Sequence, residues 1–270
     1  MVWDDDDDVT RVPRHVVGQR NERGLRGSKR LAERSKLFKT VDLVTTPSAG
    51  LASGFRESGA PAVRVIENYV IHDHTICRVP RDGLRIGWVA ARSHRLDLQS
   101  IPIVPALRRL VAEHPQVHVA TVGIQIELES ERYSRLGFVP LSELMTHVAT
   151  FDIGIAPLSP DWAINHARSN IKLKEYASAG VPWLASPIGP YAGMGKREGG
   201  RLVPDARWYE HLDALVRSRR SRRKLAKRAA KWGSQQSLSA NVTCWERAFQ
   251  DAIAHRRELM GAGIASQAPG

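Results

Sequence analysis

From Leu84 onward, short apolar runs alternate with longer stretches of helical spacing. Leu84–Val89, Val117–Val122, Phe151–Ala156 and Val181–Ala185 are rich in β-branched and aliphatic residues and predict strands. Between them, Val104, Leu107, Leu110 and Val111 recur at helical intervals, predicting a helix over Ile103–His114 that stops before Pro115. A second helix is expected from a Ser142 cap through Ala149. A third spans Asn170–Ala179, with Gly180 in the C′ position that favours a left-handed backbone. Arg135–Val139 reads as short and extended. Near-continuous apolar strands separated by helices indicate a parallel, doubly wound α/β sheet covered on both faces.

The stretch before Leu84 carries a weaker version of the same rhythm. Val41–Thr46 predicts a strand closed by Pro47; Ser48 then stands where a helix cap belongs, ahead of Leu51, Phe55 and a stop at Gly59. Ala62–Ile66 predicts a second strand, and His72–Asp82 a polar linker. Residues 1–40 read as an acidic start at Asp4–Asp8, a polar loop and a basic helix over Ser28–Lys39. These patterns divide the chain into a partial N-terminal unit and linker (1–83), a ligand-binding α/β unit (84–205), basic C-terminal helices (206–258) and a disordered tail (259–270).

Composition narrows the class. The 270 residues are 42% hydrophobic, enough for a sizeable core. No segment approaches the ~20 apolar residues of a membrane helix, and Met1 leads into aspartates rather than a signal sequence. Cys77 and Cys244 are too few for a disulfide framework or a four-cysteine zinc site and read as reduced thiols. A cytoplasmic protein is expected, able to sit at a membrane surface. The net charge of +12 points to anionic partners, and its densest cluster, Arg217–Arg228, reads as a basic amphipathic helix. An anionic lipid surface suits that helix. No nucleic-acid-binding motif accompanies the charge and aromatics are not interleaved with it, which argues against nucleic acid. Asp4–Asp8 lies at a terminus and reads as a solvated, self-repelling tail rather than a metal site.

In an open parallel sheet, ligands bind beyond the carboxyl ends of the strands. Three loops hold that position here. Ala90–Asp97 has small residues for close backbone approach, with Arg92, His94 and Arg95 as donors to a phosphate. Pro157–Asn170 leads into a helix whose first turn carries Lys172, with Glu175 three residues on and on the same face. A cation at the helix mouth and a carboxylate behind it suit the phosphates and a diol of a nucleotide sugar. The third loop, Ser186–Tyr191, is rich in Gly and Pro.

Four ordered blocks carry a resemblance: Gly137-Phe-Val-Pro140, Asp152–Leu158, Ser169–Pro182 and Ala185–Tyr191. Together they resemble the C-terminal, donor-binding domain of GT-B glycosyltransferases, with family 4, the retaining nucleotide-sugar-dependent enzymes of bacterial surface polysaccharides, as the branch most similar. Ile86-Gly-Trp with His94 and Asp97 is similar to that branch's first phosphate loop, and Asp42–Asn68 to the end of its N-terminal domain. The resemblance implies a Rossmann-like donor domain, with Glu175 on the ribose hydroxyls and Lys172 on the diphosphate. Gly87 with Arg92 or Arg95 would approach the phosphates from the other side, and the loop carrying Gly189 would flank the sugar. The implied donor-binding set is Gly87, Arg92, His94, Arg95, Ser169, Asn170, Lys172, Glu175 and Gly189, with no catalytic group assigned. It implies neither metal nor cofactor: cations and the helix dipole would stabilise the leaving diphosphate.

Two departures bear on activity. Ala167 stands where the family often has a second acidic residue, eight positions before Glu175, and the first 83 residues are short for a complete N-terminal domain. A non-catalytic nucleotide-sugar-binding chain and a basic nucleic-acid-binding protein are therefore the alternative readings.

Overall fold

The computed structural model describes residues 1–6, 36–71 and 82–265. Its strands form two parallel sheets that fall on either side of the 72–81 linker. The basic helix expected over Ser28–Lys39 lies outside the described residues as far as 35, and its end is helical at 36–37 and a 3-10 turn at Phe38–Thr40; most of the linker and Cys77 also lie outside.

The smaller sheet has the order β1–β2–β3: β1 Val2–Asp4, β2 Leu43–Thr46 and β3 Val63–Val65. β1 corrects the expectation of a purely solvated start, because Val2 and Trp3 pair with Leu43 and Val44. A helix α1, Ala49–Glu57, crosses from β2 to β3. Ser48 caps it as expected, its Oγ accepting from Leu51 N–H at 3.1 Å, and Gly59 ends it in the left-handed region at φ +89°.

The larger sheet has the order β6–β5–β4–β7–β8–β9. Along the chain, β4 Leu84–Ala90 precedes α2 Ile103–Glu113, β5 Val117–Gly123, β6 Tyr133–Leu136 and α3 Leu141–Val148. β7 Ile153–Ala156, α4 Ala163–Ala167, α5 Ile171–Ser178, β8 Trp183–Ala185 and β9 Gly200–Leu202 follow. Every pairing is parallel. The chain enters at β4, builds outward to β6 and returns to β7, so the order reverses between β4 and β7. That reversal opens a crevice at the carboxyl ends of these two strands.

Two differences from expectation have local causes. The helix expected to be capped by Ser142 starts two residues earlier, with Pro140 in the cap position and no side-chain cap. The predicted Arg135–Val139 segment is extended over Tyr133–Leu136, held by a register of Val119 against Tyr133.

Both faces of the larger sheet are covered. On one, Ile86, Trp88 and Val119 meet Leu107 and Leu110 of α2 and Leu212 and Leu215 of α6, Trp208–Arg217. On the other, Phe151, Val122 and Trp183 meet Leu144 and Val148 of α3 and Leu173 and Tyr176 of α5. The basic run is divided: Arg217 ends α6, Ser218 caps the next helix, and α7 spans Arg219–Gly233 against α5. The last helix, α8 Thr243–Ala265, returns to the smaller sheet, where Ala248 and Ala252 cover Leu43 and Ile66. Its extent corrects the disordered tail expected over 259–270: residues 259–265 are helical, and 266–270 lie outside the described residues.

Candidate nucleotide-sugar site

β4 runs into a 3-10 turn at Arg92–Arg95 and a single helical turn at Asp97–Ser100. Asp97 is 1% exposed and gathers three donors. It accepts from His94 Nδ1 at 2.8 Å, from Ser159 N–H at 2.8 Å and from Asn165 Nδ2 at 2.6 Å. A carboxylate has acceptor capacity for all three, and burial makes each bond stronger than it would be in water. Arg168 extends the network, donating from Nε to Asn165 Oδ1 at 2.9 Å and from its terminal amine to Ser93 Oγ at 3.1 Å. The loops after β4 and β7 are thereby fastened into one wall of the crevice.

His94 is neutral in this setting. Burial, then the positive charges of Lys172 and Arg168, push it down to about 3, and the bond to Asp97 only partly opposes them. Because Asp97 takes the Nδ1 proton, Nε2 carries a bare lone pair. In this setting Nε2 is an acceptor rather than a donor.

The helix α5 supplies the opposite wall. Its orientation is fixed from below by Tyr176, whose hydroxyl donates to Ile155 O at 2.8 Å and accepts from Val89 N–H at 3.1 Å. Gly154 makes room for that ring, since a Cβ there would meet it at 2.6 Å. At the helix mouth the main-chain oxygen of Asn170 accepts from Leu173 N–H and Lys174 N–H at 3.0 and 3.3 Å. The side chain of Asn170 does not cap the helix. Lys172 is half-buried, and Glu175 is buried one turn on, raised by burial to about 7 against the opposing pull of Lys172. Glu175 lines a pocket of about 320 Å³ with Asp6, Glu67, Tyr69, Ile171 and Trp245, where the smaller sheet meets α5. The pocket's carboxylates suit hydroxyl-bearing ligand groups, whereas the cations stand at the helix mouth.

Sequence reasoning missed Lys174. It is fully buried, and its ammonium reaches Glu67 Oε2 at 2.7 Å and Asn68 O at 2.8 Å and lies 4.0 Å from the centre of the Tyr69 ring. Burial lowers its basicity and Glu67 restores part of it. Lys174 and the bond from Ser48 Oγ to Ala167 O at 2.6 Å are among the ties that hold the smaller sheet's segments against α4 and α5. Replacing Lys174 by alanine is expected to destabilise the protein by about 2 kcal/mol, below what a fully buried pair costs when broken because half-exposed Glu67 rehydrates. Urea denaturation measures it.

The remaining predicted residues fall unevenly. Gly87 lies inside β4, where a Cβ would strike the Phe151 ring at 2.1 Å, so its missing side chain is required by the packing of the core. Gly189, at φ +53°, passes so close to Asn165 O (2.5 Å from a would-be Cβ) that its need for glycine is met by its own chain. Arg95 is exposed and Ser169 half-exposed beside the helix mouth. The Arg92 backbone lies in the 3-10 turn; its side chain lies outside the described structure. Of these residues Glu175 lines the pocket, Ser169, Asn170 and Lys172 stand at the mouth of α5, His94 is buried beside Asp97, and Gly87 lies within the sheet.

No family model matches the sequence, and no curated protein matches it. Solved structures do. HepE of Anabaena, determined with UDP and glucose, aligns at a TM-score of 0.63 and 17% identity over 91% of this chain and 70% of its own. Sucrose-phosphate synthase from Thermosynechococcus elongatus gives 0.63 and 15% over 84% and 62%. A mutant of S. aureus TarM, determined with UDP, fondaparinux and α-GlcNAc-glycerol, gives 0.60 and 12% over 78% and 44%. The chain spans less than two thirds of the length of TarM and of the synthase. With its two parallel Rossmann-like sheets and the crevice between them, this chain has the fold of the GT-B glycosyltransferases.

Proposed function

We propose that the crevice binds a nucleotide-diphosphate sugar and that the chain transfers the sugar to an acceptor, with retention of anomeric configuration, in the manner of family 4. The observation that carries this reading is Glu175, buried on the pocket wall one turn behind Lys172, where the smaller sheet's segments meet α5. Glu175 accepts from the two ribose hydroxyls. Lys172 and the first N–H groups of α5, which have no intrahelical acceptor, hold the diphosphate. As the glycosidic bond breaks, negative charge grows on the leaving diphosphate, and the fixed cation and helix dipole stabilise it there. Arg95, from the loop after β4, adds charge from the facing wall. The ligands named with the HepE and TarM structures, UDP in both, support this assignment.

Calorimetric titration with UDP-, GDP- and ADP-sugars, paired with an assay for released nucleotide, tests it. Lys172→Ala is expected to weaken binding about a hundredfold, the effect of removing a charge-assisted donor from a phosphate. Binding without nucleotide release under any acceptor condition favours the non-catalytic reading. Salt-dependent RNA or DNA binding that survives Lys172→Ala and Glu175→Ala supports the nucleic-acid reading.

A surface membrane role for α7 rests on its composition. The helix carries eight Lys and Arg residues and no acid, with Arg219, Arg220, Arg223, Lys224 and Lys227 exposed and lining a shallow groove. At about 1 kcal/mol per cation near an anionic bilayer, such a patch holds a protein to the surface at low salt. No helix among the described residues is long and apolar enough to cross a membrane. Co-sedimentation with phosphatidylserine vesicles is expected at low ionic strength and not with phosphatidylcholine alone. Arg223→Glu combined with Lys227→Glu should abolish it.

A further inference from the structure

Two buried acceptors, one in the loop after β4 and one at the mouth of α5, have nothing to accept from among the described residues. Nε2 of His94 and Oδ1 of Asn170 find no hydrogen-bond partner among the described residues and are withdrawn from water. Their residues are 1% and 9% exposed. Unfilled buried acceptors are few in native proteins, and each calls for a reason. These two share a neighbourhood: Arg168, two residues before Asn170, donates to Ser93, the neighbour of His94. Lys172, two residues after Asn170, is close enough to act on the His94 charge.

The state of His94 is fixed by everything around it. Asp97 holds the Nδ1 proton, and Asp97 cannot turn away because Ser159 N–H and Asn165 Nδ2 hold its other oxygen. Lys172 and Arg168 oppose a second proton on the ring, and the Trp88 indole stands edge-on with its centre 6.2 Å away, offering no charge. Nε2 is therefore an obligate acceptor. Phosphate oxygens are acceptors too and gain nothing from it, whereas a sugar hydroxyl is a donor that fits it.

We infer that His94 Nε2 accepts a hydrogen bond from a hydroxyl of the donor's sugar, with Asn170 Oδ1 as a second hydroxyl acceptor. The pair then reads the sugar while Lys172 holds the diphosphate. This rests on the nucleotide-sugar reading above and deepens it.

The test compares UDP-, GDP- and ADP-glucose with the corresponding nucleoside diphosphates by calorimetry, on wild type, His94→Leu and His94→Gln. His94→Leu should weaken the sugar nucleotide about tenfold, as for one lost hydrogen bond in a dry site, and the nucleoside diphosphate by less than about twofold. His94→Gln, whose amide oxygen can accept, should recover part of the loss. Equal losses on both ligands, or no loss on either, overturn the assignment and leave the nucleotide-sugar reading standing. Wild type that binds none of the probes overturns both. If the variants fail to fold, 15N NMR of the wild-type histidines decides: the unprotonated Nε2 resonance of His94 should move on adding the glucose nucleotide and not the nucleoside diphosphate. A resonance that responds to neither overturns the inference.

Discussion

Replacing Glu175 by glutamine is expected to abolish nucleotide-sugar binding and, at the same time, to raise the thermal midpoint above neutral pH. The carboxyl is buried at 8% exposure, and burial lifts it from its ordinary 4.5 to about 7, with Lys172 offsetting only part of the penalty. Between those values the folded protein holds a proton that the unfolded chain has released. Stability therefore falls as pH rises from 4.5 through 7 and levels off above. A rise of that size corresponds to about 3 kcal/mol. Glutamine has no charge to bury, so Glu175→Gln should be more stable than wild type at pH 8, by several degrees in thermal midpoint, and indistinguishable below pH 4.5. Binding moves the opposite way. A ribose diol needs the ionised carboxylate as a double acceptor, so wild-type affinity should climb as pH rises through 7, and the variant should show neither the affinity nor the climb. A residue whose removal stabilises the fold while eliminating ligand binding is one retained for the ligand. Unchanged affinity in the variant would defeat the site assignment. A lower midpoint at pH 8 would defeat the electrostatic account.

The parts of this architecture that were legible in the sequence are those decided locally. Ser48 capped its helix as expected because an N-cap bond closes within three residues, and Gly180 ended α5 because a left-handed C′ position selects glycine wherever it occurs. The apolar runs at Leu84, Val117 and Phe151 became central strands because burial on both faces leaves a continuous apolar signature. What escaped depended on distant partners. β1 lies in an acidic run and exists because Val2 and Trp3 find Leu43 and Val44 some forty residues on. Lys174 carried no signal of its own in the sequence, and the return of Glu67 and Asn68 explains its buried ammonium. His94 was visible as a candidate, but its protonation was not. That is set first by burial and then by Lys172, Asp97 and Arg168, of which Lys172 and Arg168 come from a distant part of the chain. The packing role of Gly87 was hidden for the same kind of reason: Phe151, on the neighbouring strand's approach, fills the space that its missing side chain leaves.

Asp97→Ala is expected to lower stability by about 4 kcal/mol, a thermal midpoint drop of roughly 10 °C for a chain of this size. The carboxylate leaves three buried donors behind: His94 Nδ1, Ser159 N–H and Asn165 Nδ2. Each stranded donor costs about 1–3 kcal/mol, and because the three share one partner the losses combine to less than their sum. Arg168 loses its footing as well, since Asn165 Oδ1, which it holds at 2.9 Å, is positioned by the bond to Asp97. The two loops that form one wall of the crevice then separate, and ligand affinity should fall with stability. Asp97→Asn divides the structural role from the chemical one. Its amide oxygen still accepts from Ser159 N–H or Asn165, so the stability loss should be about half as large. Its NH2 now faces His94 Nδ1 and drives the imidazole to the other tautomer, turning Nε2 from acceptor to donor. Chemical denaturation of both variants separates the cases: a loss below about 1 kcal/mol for alanine would mean that water replaces the carboxylate, and the network would then be a surface feature rather than the keystone of the wall.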